Sequence, residues 1–486
     1  MRSIAPLADY RARQEQSACQ PVVVVSAIGD ATDHLLEVLQ CASRAQSYRA
    51  WKLQEQLKAN HFCLAEDLLS TERLESISQY IQVTFRDLHV RMLELCEGEC
   101  CDTPELRDWV ASIGEKLSSR IVAAVLEENC IQTKHMESEQ LILTDDHFTN
   151  AAPRYWETYA RIRWSIPRAA RSHVVVLGGF IGATEDGRLT TLGRGGSDLT
   201  ASILGAAVNA DEIQVWKDVD GMLTWNPRIR NGGHRVRSLS YEEASELARA
   251  GATILHPEAI APARQRRIPV VIRNTFRPNG EGTRIDVPRT VCSNPVKSIA
   301  GKTNVTVVEL RIPTVEGSLQ EWASRIERLS REQKAATFLA ASDEVIYLSL
   351  EEQRDTSKFD FAPDHCMQAH VRNGQAIITL VGETLKARNT VVERLSAVCA
   401  RRSALILPQN GESCSVQIVV PKEHFAACTD ILQDMFFTEL DPAFFAPVEM
   451  TPIEEEPEPN SKTFVPEKQQ VFLQSTSRFA FLGGRR

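Results

Sequence analysis

Continuous runs of apolar, often β-branched residues recur along the first 290 positions of the chain. These runs read PVVVVSA (21–27), HVVVLGG (173–179), EIQVWKD (212–218) and IPVVIRN (268–274). They are typical of strands that are buried on both faces. Between them, apolar residues at helical spacing predict helices over residues 33–57, 64–95, 115–128, 197–209 and 241–250. Because strands alternate with helices, residues 1–290 are predicted to form an α/β domain with a mainly parallel sheet.

The pattern changes after DVPRTVCSNPV, where prolines and polar residues mark a linker near residue 290. Two similar series of shorter strands and helices follow, and they predict small α+β units at 298–362 and 366–440. Their predicted helices cover residues 318–333, 386–401 and 422–436. Residues 441–486 contain EEEPEP and few periodic signals, which is typical of a disordered acidic tail. Its last residues, FAFLGGRR, leave a docking peptide open as the alternative.

Composition narrows the class of protein. A chain of 486 residues corresponds to two to four domains at about 100–200 residues each. The net charge of −9, without a long basic stripe, argues against a nucleic-acid partner. No apolar run reaches the ~18 residues of a membrane span, and the first residues lack the apolar core of a signal peptide. We therefore expect a cytoplasmic protein with no membrane partner.

The twelve cysteines are scattered along the chain and are expected to be reduced thiols. Cys96, Cys100 and Cys101 form one cluster. A metal site would need a second pair of ligands at suitable spacing, and none is seen. The sequence therefore predicts no metal-binding residues, and the cluster is interpreted as a surface turn.

A glycine-rich stretch, TTLGRGGSDLTA (190–201), directly precedes a predicted helix. Ser197 or Asp198 is a natural N-cap for that helix. The three glycines permit positive φ and close approach of a ligand, and a helix N-terminus favours an anion. Arg194 adds a fork-shaped donor for a carboxylate or a phosphate. The stretch predicts an anion site, although a tight structural turn remains an alternative.

Three further polar clusters follow strands or begin helices. They are Ser26 with Thr32, Glu115 near a predicted helix start, and Lys217 with Asp218 and Asp220. Each cluster alone is compatible with a cap, a turn or a solvated charge. Ligands of open α/β sheets bind beyond the carboxyl ends of the strands, so together the clusters predict one converging site.

At this point the sequence resembles the aspartate kinase family. The matching segments, in the family's order, are VVVVSA with Thr32, SIGEKLSS, LTDDHFTNA, GGFIGATEDGRLTTLGRGGSDLTA, QVWKDVDGMLTWNPR, YEEASELARAGATILHPEAI and IPVVIRNTFRPNGEGTRI. They cover nearly all of residues 21–286, and WKDVDG is similar to the plant-type branch. The resemblance implies the amino-acid-kinase fold, a three-layer αβα sandwich with a mainly parallel sheet, followed by two α+β ACT-like regulatory domains.

The resemblance also implies a reaction: ATP-dependent phosphorylation of the β-carboxylate of L-aspartate, with Mg²⁺. This reaction is the first step of lysine, threonine and methionine biosynthesis. Lysine or threonine is implied as a possible effector at the ACT-like domains. The family's ACT domains pair between subunits, which implies a homodimer or a larger homo-oligomer.

Matching the family's motifs residue by residue implies roles for part of the site. Arg194 would hold the substrate α-carboxylate and Glu115 the α-ammonium group. The other residues implied to contact aspartate are Thr32, Gly195 and Ser197. Ser26 would face the phosphates, and Asp198 would help to orient a catalytic lysine.

The implied nucleotide contacts are Ser26, Lys217, Asp218, Leu223, Arg228, Thr253 and Ile254. Many family members have lysine at position 253 and some have tyrosine at position 223. The threonine here weakens the first contact, whereas leucine is compatible with packing on a base.

The chain departs from the family at its beginning. The family opens with a strand ending in Lys-Phe-Gly-Gly-Thr, whereas the 25 residues before Ser26 contain no such motif. The catalytic lysine belongs to that strand, which is also central in the sheet, so its neighbours are expected to have unpaired edges. We favour a KFGG segment encoded upstream of Met1; the alternative is a truncated homologue that acts as an amino-acid-binding regulatory protein. The 486-residue chain is expected to form aspartyl hydroxamate weakly or not at all.

Overall fold

The structure is a computed structural model. It describes residues 19–225, 232–252, 254–311, 336–342, 345–351, 368–383, 385, 389–400, 402–408, 413–448 and 479–484. The helices are, in chain order, α1 (Ala31–Ser43), α2 (Ser47–Leu68), α3 (Thr71–Glu97), α4 (Pro104–Glu128), α5 (Tyr155–Ala169), α6 (Gly196–Val208), α7 (Tyr241–Arg249), α8 (Pro257–Arg266), α9 (Asn389–Ala400) and α10 (Phe425–Phe436).

The strands are, in chain order, β1 (Val22–Val25), β2 (Thr133–His135), β3 (Val174–Gly178), β4 (Ile181–Ala183), β5 (Leu189–Thr191), β6 (Ala210–Lys217), β7 (His234–Val236), β8 (Ser238–Leu239), β9 (Val270–Asn274), β10 (Thr283–Ile285), β11 (Ser298–Arg311), β12 (Ala336–Ala341), β13 (Val345–Glu351), β14 (Gln368–Val381), β15 (Leu405–Ile406), β16 (Ser415–Pro421), β17 (Phe445–Pro447) and β18 (Phe479–Gly484).

The chain divides into two compact units, which are described separately. The first comprises Met1–Gly221, Glu258–Asp286 and Val448–Arg486, and the second comprises Met222–Pro257 and Val287–Pro447. Strands of the first unit follow the order β2-β3-β1-β18-β6-β9-β10. Neighbours β2 and β3, β3 and β1, and β6 and β9 are parallel. The four apolar runs form β1, β3, β6 and β9, so the predicted α/β class is confirmed.

Both faces of this sheet are covered. Successive side chains of β1 point to opposite faces, yet all four valines are buried. Ala123 and Leu126 of α4 pack with Val23 and Val25 in one apolar cluster. Helix α5 packs against β3 and α6, and α6 packs against β6 and β1. The resulting arrangement of helices, sheet and helices is the predicted three-layer fold.

Three predicted helix boundaries are corrected. The predicted helix 33–57 is interrupted between α1 and α2, where Ala45 has a φ of 54°. The predicted helix 64–95 is interrupted as well, because α2 ends at Leu68 and α3 begins at Thr71. The predicted helix 115–128 begins eleven residues earlier, at Pro104. Thr103 caps it by accepting a hydrogen bond from the N–H of Leu106, and proline suits the first helical position. Glu115 therefore lies in the middle of α4, and the expectation that it lies near a helix start is wrong.

The C-terminal strand β18 lies between β1 and β6. It runs antiparallel to both, with Phe479 opposite Val25 on one side and opposite Trp216 on the other. The expectation that these neighbours have unpaired edges is therefore wrong. Strand β17 also pairs with β7 in the second unit. Both strands lie within residues 441–486, so the expectation of a disordered tail does not hold for them.

The second unit is built on one antiparallel sheet in the order β12-β13-β11-β14-β16-β15. Its two longest strands, β11 and β14, pair with each other, so the two predicted α+β series share a single sheet. Helices α9 and α10 match two of the predicted helices, and the predicted helix 318–333 lies outside the described residues. In this unit the buried Lys297 makes an ion pair of 2.9 Å with Glu243 of α7.

Among the described residues, no helix combines the length and the apolar character that spanning a membrane requires.

Candidate active site

Glu115 and Ser26 meet where α4 crosses the end of β1. Ser118 donates a hydrogen bond of 2.7 Å from Oγ to the carbonyl oxygen of Ser26, which ties the helix to the strand end. The Glu115 carboxylate accepts the N–H of Ala27, but its Oε2 has no hydrogen-bond partner although the side chain is only 5% exposed. Burial raises the pKa of Glu115 to about 8. The Ser26 Oγ is likewise buried without a partner.

A glycine brings the first turn of α1 close to this carboxylate. A Cβ atom at Gly114 would lie 2.6 Å from the Cβ of Ala27 and 3.6 Å from Oγ1 of Thr32. Only a residue without a side chain allows α4 to approach this closely. Thr32 therefore lies beside the residue that precedes Glu115.

The glycine turn adopts left-handed backbone conformations at Gly193 and Gly195, each with φ of 71°. Helix α6 begins at Gly196 with Gly195 as its N-cap residue. The prediction that Ser197 or Asp198 is the N-cap is therefore wrong, because the left-handed glycine starts the helix earlier and both residues fall in its first turn. Arg194 is exposed and makes no hydrogen bond or ion pair with the described part of the chain.

Two further contacts connect the turn to the sheet. A Cβ atom at Gly179, just after β3, would lie 2.6 Å from the Cα of Ser197. A Cβ atom at the preceding Gly178 would lie 3.0 Å from the carbonyl oxygen of Glu115. The strand end thus touches the glycine turn on one side and the buried carboxylate on the other.

Asp198 and Lys217 form a buried ion pair, with 3.3 Å between Oδ2 and Nζ. The side chains are 3% and 6% exposed. The sequence implied that the lysine partner of Asp198 belongs to a strand outside the chain. Within the described residues, Asp198 pairs with Lys217, the lysine that ends β6.

Of the remaining predicted nucleotide residues, Asp218 lies in the first unit, where it follows Lys217 directly and is exposed. Leu223 and Ile254 belong to the second unit, and Arg228 and Thr253 lie outside the described residues. The nucleotide roles of these residues, and those of Ser26 and Lys217, stay predictions. The first unit brings together Ser26, Thr32, Glu115, Arg194, Gly195, Ser197, Asp198 and Lys217.

The sequence did not reveal Asp108. This buried residue of α4 accepts hydrogen bonds from Thr149 and Thr191, which lie 41 and 83 residues away. No local motif signals such a contact, although LTDDHFTNA and the glycine turn, which supply its partners, were both recognised as motifs.

The arrangement offers complementary charges to a ligand. The carboxylate of Glu115 lacks a partner on one oxygen, so it suits a cationic group. The exposed guanidinium of Arg194, at a helix N-terminus, suits a carboxylate or a phosphate. Lys217 adds a second cation, and the described residues contain no group of three or more His, Cys, Asp or Glu residues suited to hold a metal ion. Together these groups suit a zwitterion beside a polyanion.

Comparison with known proteins identifies the family. Residues 3–274 match the model of the Amino acid kinase family. Aspartokinase 3, chloroplastic, of Arabidopsis thaliana is 30% identical over 86% of this chain and 76% of its own length. Lysine-sensitive aspartokinase 3 of Escherichia coli (strain K12) is 27% identical over 74% of this chain and 86% of its own length.

A crystal structure shows the same fold. E. coli aspartokinase III in complex with aspartate and ADP has a TM-score of 0.71 at 24% identity, covering 89% of this chain and 95% of that one. Because the family match spans more than half of the sequence and the Arabidopsis relative aligns over most of both chains, this chain belongs to the amino acid kinase family and, within it, to the aspartokinases.

Proposed function

We propose that the protein is an aspartate kinase that transfers the γ-phosphoryl group of ATP to the β-carboxylate of L-aspartate, giving 4-phospho-L-aspartate. The observation that carries this proposal is the buried Glu115 carboxylate, whose Oε2 has no hydrogen-bond partner. The end of β3 contacts Glu115 on one side and the glycine turn on the other, and Arg194 of that turn makes no hydrogen bond or ion pair with the described residues. A cation site and an anion site at one strand end match the head group of an α-amino acid. Membership of the aspartokinases supports the choice of substrate.

The substrate head group accounts for the unpartnered atoms. The α-ammonium group donates to Glu115, and the α-carboxylate accepts a bidentate pair from Arg194. Thr32, Gly195 and Ser197 provide the remaining polar contacts around aspartate. Because an ammonium group favours the ionised form of Glu115, substrate binding lowers the pKa of this residue from about 8.

The β-carboxylate is ionised at neutral pH, so transfer needs no strong general base. Catalysis then consists of positioning two anions and neutralising their charge. Lys217 and the N–H groups at the start of α6 face the phosphates in this proposal, and the Ser26 hydroxyl, which has no partner, donates to them. Asp198 holds Lys217 in place.

The site offers Mg²⁺ a carboxylate, that of Asp218, beside the place proposed for the phosphates. In kinase sites the ion takes one or two carboxylates and the substrate phosphates, and it neutralises phosphate charge when bound. Asp218 is an exposed carboxylate next to Lys217 and is the proposed protein contact.

We also propose feedback control by an end-product amino acid, lysine or threonine, at the antiparallel sheet of the second unit, and a homodimer as the assembly. The E. coli relative is named lysine-sensitive, which supports the first part. The cytoplasmic location stays a prediction, and the Arabidopsis relative is named chloroplastic.

Two measurements test the proposed function. Calorimetry tests whether the chain binds L-aspartate and ATP, and hydroxylamine trapping with mass spectrometry tests for ATP-dependent aspartyl hydroxamate. Glu115→Gln should abolish both aspartate binding and trapping. Glu99→Gln makes the same change at an exposed position and should alter neither. Binding of aspartate without any trapped product would favour the amino-acid-binding regulatory protein instead.

A further inference from the structure

Asp108 is a buried carboxylate that the proposed chemistry does not use. It is 1% exposed and accepts four hydrogen bonds. The N–H of Thr149 lies 3.0 Å from Oδ1 and 2.9 Å from Oδ2; Thr191 donates its N–H at 3.0 Å and its hydroxyl at 2.6 Å. Burial raises the pKa of Asp108, and the hydrogen bonds oppose that rise. Three donors, of which the Thr149 N–H is shared between both oxygens, favour the carboxylate form.

One of these partners leads directly into the glycine turn. Thr191 ends β5 and lies three residues before Arg194. Its carbonyl oxygen accepts the N–H of Ala151 at 2.9 Å, so the N–H and the carbonyl group of Thr191 both have hydrogen-bond partners. The position at which the turn leaves β5 is therefore fixed by Asp108 on one side and by the 145–152 loop on the other.

The other partner holds the loop that packs on the turn. Thr149 has a φ of 71°, which a β-branched residue adopts only when its surroundings enforce it. The next residue, Asn150, lies against Gly193 so closely that a Cβ atom there would collide with its Oδ1. Asp108 thus fixes the loop that shapes the glycine turn as well as the strand that leads into it.

The same helix carries the cation site. Asp108 and Glu115 are seven residues apart on α4, which places them on one face, about 10 Å apart along the axis. A single rigid element therefore holds the carboxylate for the substrate ammonium and the anchor of the turn that carries Arg194.

We infer that Asp108 is a positioning residue that sets the separation between Glu115 and Arg194, and thereby selects the head group of an α-amino acid. This inference rests on the proposed function, because the two ends of that head group are its ammonium and carboxylate groups. Asp108 acts through Thr149 and Thr191 without touching substrate.

The test measures dissociation constants for L-aspartate and ATP by calorimetry in the full chain. Asp108→Asn keeps the shape of the side chain, but its N–H₂ group is a donor and cannot accept the backbone N–H groups of Thr149 and Thr191. We expect the constant for L-aspartate to rise about 10- to 100-fold, the range that corresponds to weakening one hydrogen bond between charged groups. The constant for ATP should rise less than the constant for L-aspartate, because two of the proposed ATP contacts, Lys217 and Ser26, are held by other bonds.

Matched variants separate positioning from loss of structure. Thr191→Val removes one of the four bonds and should give a smaller rise, whereas Thr191→Ser keeps the hydroxyl and should restore the native constant. Asp146→Asn changes an exposed carboxylate in the neighbouring loop and should have no effect. If Asp108→Asn does not fold, the comparison of Thr191→Val with Thr191→Ser tests the inference instead.

A double-mutant cycle with Arg194→Gln tests whether Asp108 affects the binding of L-aspartate through Arg194. Asp108→Asn should add little once Arg194 is replaced. Additive losses, an equal rise for ATP, or native aspartate affinity in folded Asp108→Asn would overturn the inference and leave the proposed function standing. A wild-type chain that does not bind L-aspartate would overturn both.

Discussion

Nζ of Lys217 lies 3.3 Å from Oδ2 of Asp198, and both side chains are almost fully buried. The pair joins the end of β6 to the first turn of α6, where the helix N-terminus attracts negative charge. The ion pair fixes the direction of the Lys217 ammonium group at this place. We assign Lys217 to the phosphate side of the substrate site for this reason.

Removing one member of this pair should affect both stability and nucleotide binding. Lys217→Met leaves the Asp198 charge buried, and we expect the free energy of unfolding to fall by about 3–5 kcal/mol. The dissociation constant for ATP should rise as well. The double variant Lys217→Met with Asp198→Asn should recover part of the stability in urea unfolding but none of the ATP affinity. Equal stability of the single and double variants would contradict the role of the pair.

Glu115 should make the stability of the ligand-free protein depend on pH. Its pKa is raised from 4.5 to about 8, so between these values the unfolded chain is ionised and the folded chain keeps its proton. The unfolded state then binds fewer protons, and this contribution to stability is lost as pH rises from about 4.5 to about 8. Glu115→Gln lacks the effect, so its melting temperature relative to wild type should be higher at pH 8 than at pH 5. A difference that does not change with pH would contradict the raised pKa.

Substrate binding should release a proton at neutral pH. The ligand-free Glu115 is protonated below its pKa of about 8, and the ammonium group of L-aspartate requires the carboxylate. Calorimetry at pH 7 in buffers with different ionisation enthalpies should show close to one proton released for each aspartate bound. Observed enthalpies that are the same in all buffers would mean that Glu115 does not contact the ammonium group.

Two glycines with similar backbone angles provide a matched comparison. Gly193 has a φ of 71° and lies against Asn150, whereas Gly187 has a φ of 85° with open space around it. Both alanine variants carry the backbone cost of about 1–2 kcal/mol for a left-handed residue. Only Gly193→Ala also displaces the loop, so only this variant should raise the dissociation constant for L-aspartate, by about 10- to 100-fold, which corresponds to weakening the hydrogen bonds of Arg194 to the substrate. Similar affinity in the two variants would show that the contact with Asn150 is unimportant for binding.

The C-terminal strand should stabilise the first unit. Strand β18 supplies backbone partners to β1 and β6, which otherwise face each other with unsatisfied N–H and C=O groups. Deletion of residues 479–486 should therefore lower the melting temperature. Deletion of residues 485–486 alone leaves the paired residues intact and serves as the control. Equal melting temperatures for the two truncated chains would exclude this role for β18.

Local patterns were sufficient to predict the strands that build the sheet. PVVVVSA became β1 because a strand buried on both faces must be apolar at every position. The start of α4 could also have been found from Thr103 and Pro104, a cap followed by the residue that suits the first helical turn.

Contacts between distant segments could not be predicted in the same way. The four bonds to Asp108 and the pair of Asp198 with Lys217 depend on how segments meet in space. The insertion of β18 next to Val22–Val25 joins residues more than 450 positions apart. A six-residue apolar segment carries no signal for the strand that it will pair with.

Hydroxylamine trapping with detection by mass spectrometry tests the central claim most directly. The chain is incubated with ATP, Mg²⁺ and L-aspartate, with omission of each substrate, replacement by L-glutamate, and Glu115→Gln as controls. The sequence alone allows a weak signal or none; the site described here predicts the weak signal, an aspartyl β-hydroxamate that requires both ATP and L-aspartate and disappears in Glu115→Gln. A signal no greater than that of Glu115→Gln, or an equal signal with L-glutamate, would contradict the assignment of this site to aspartate phosphorylation.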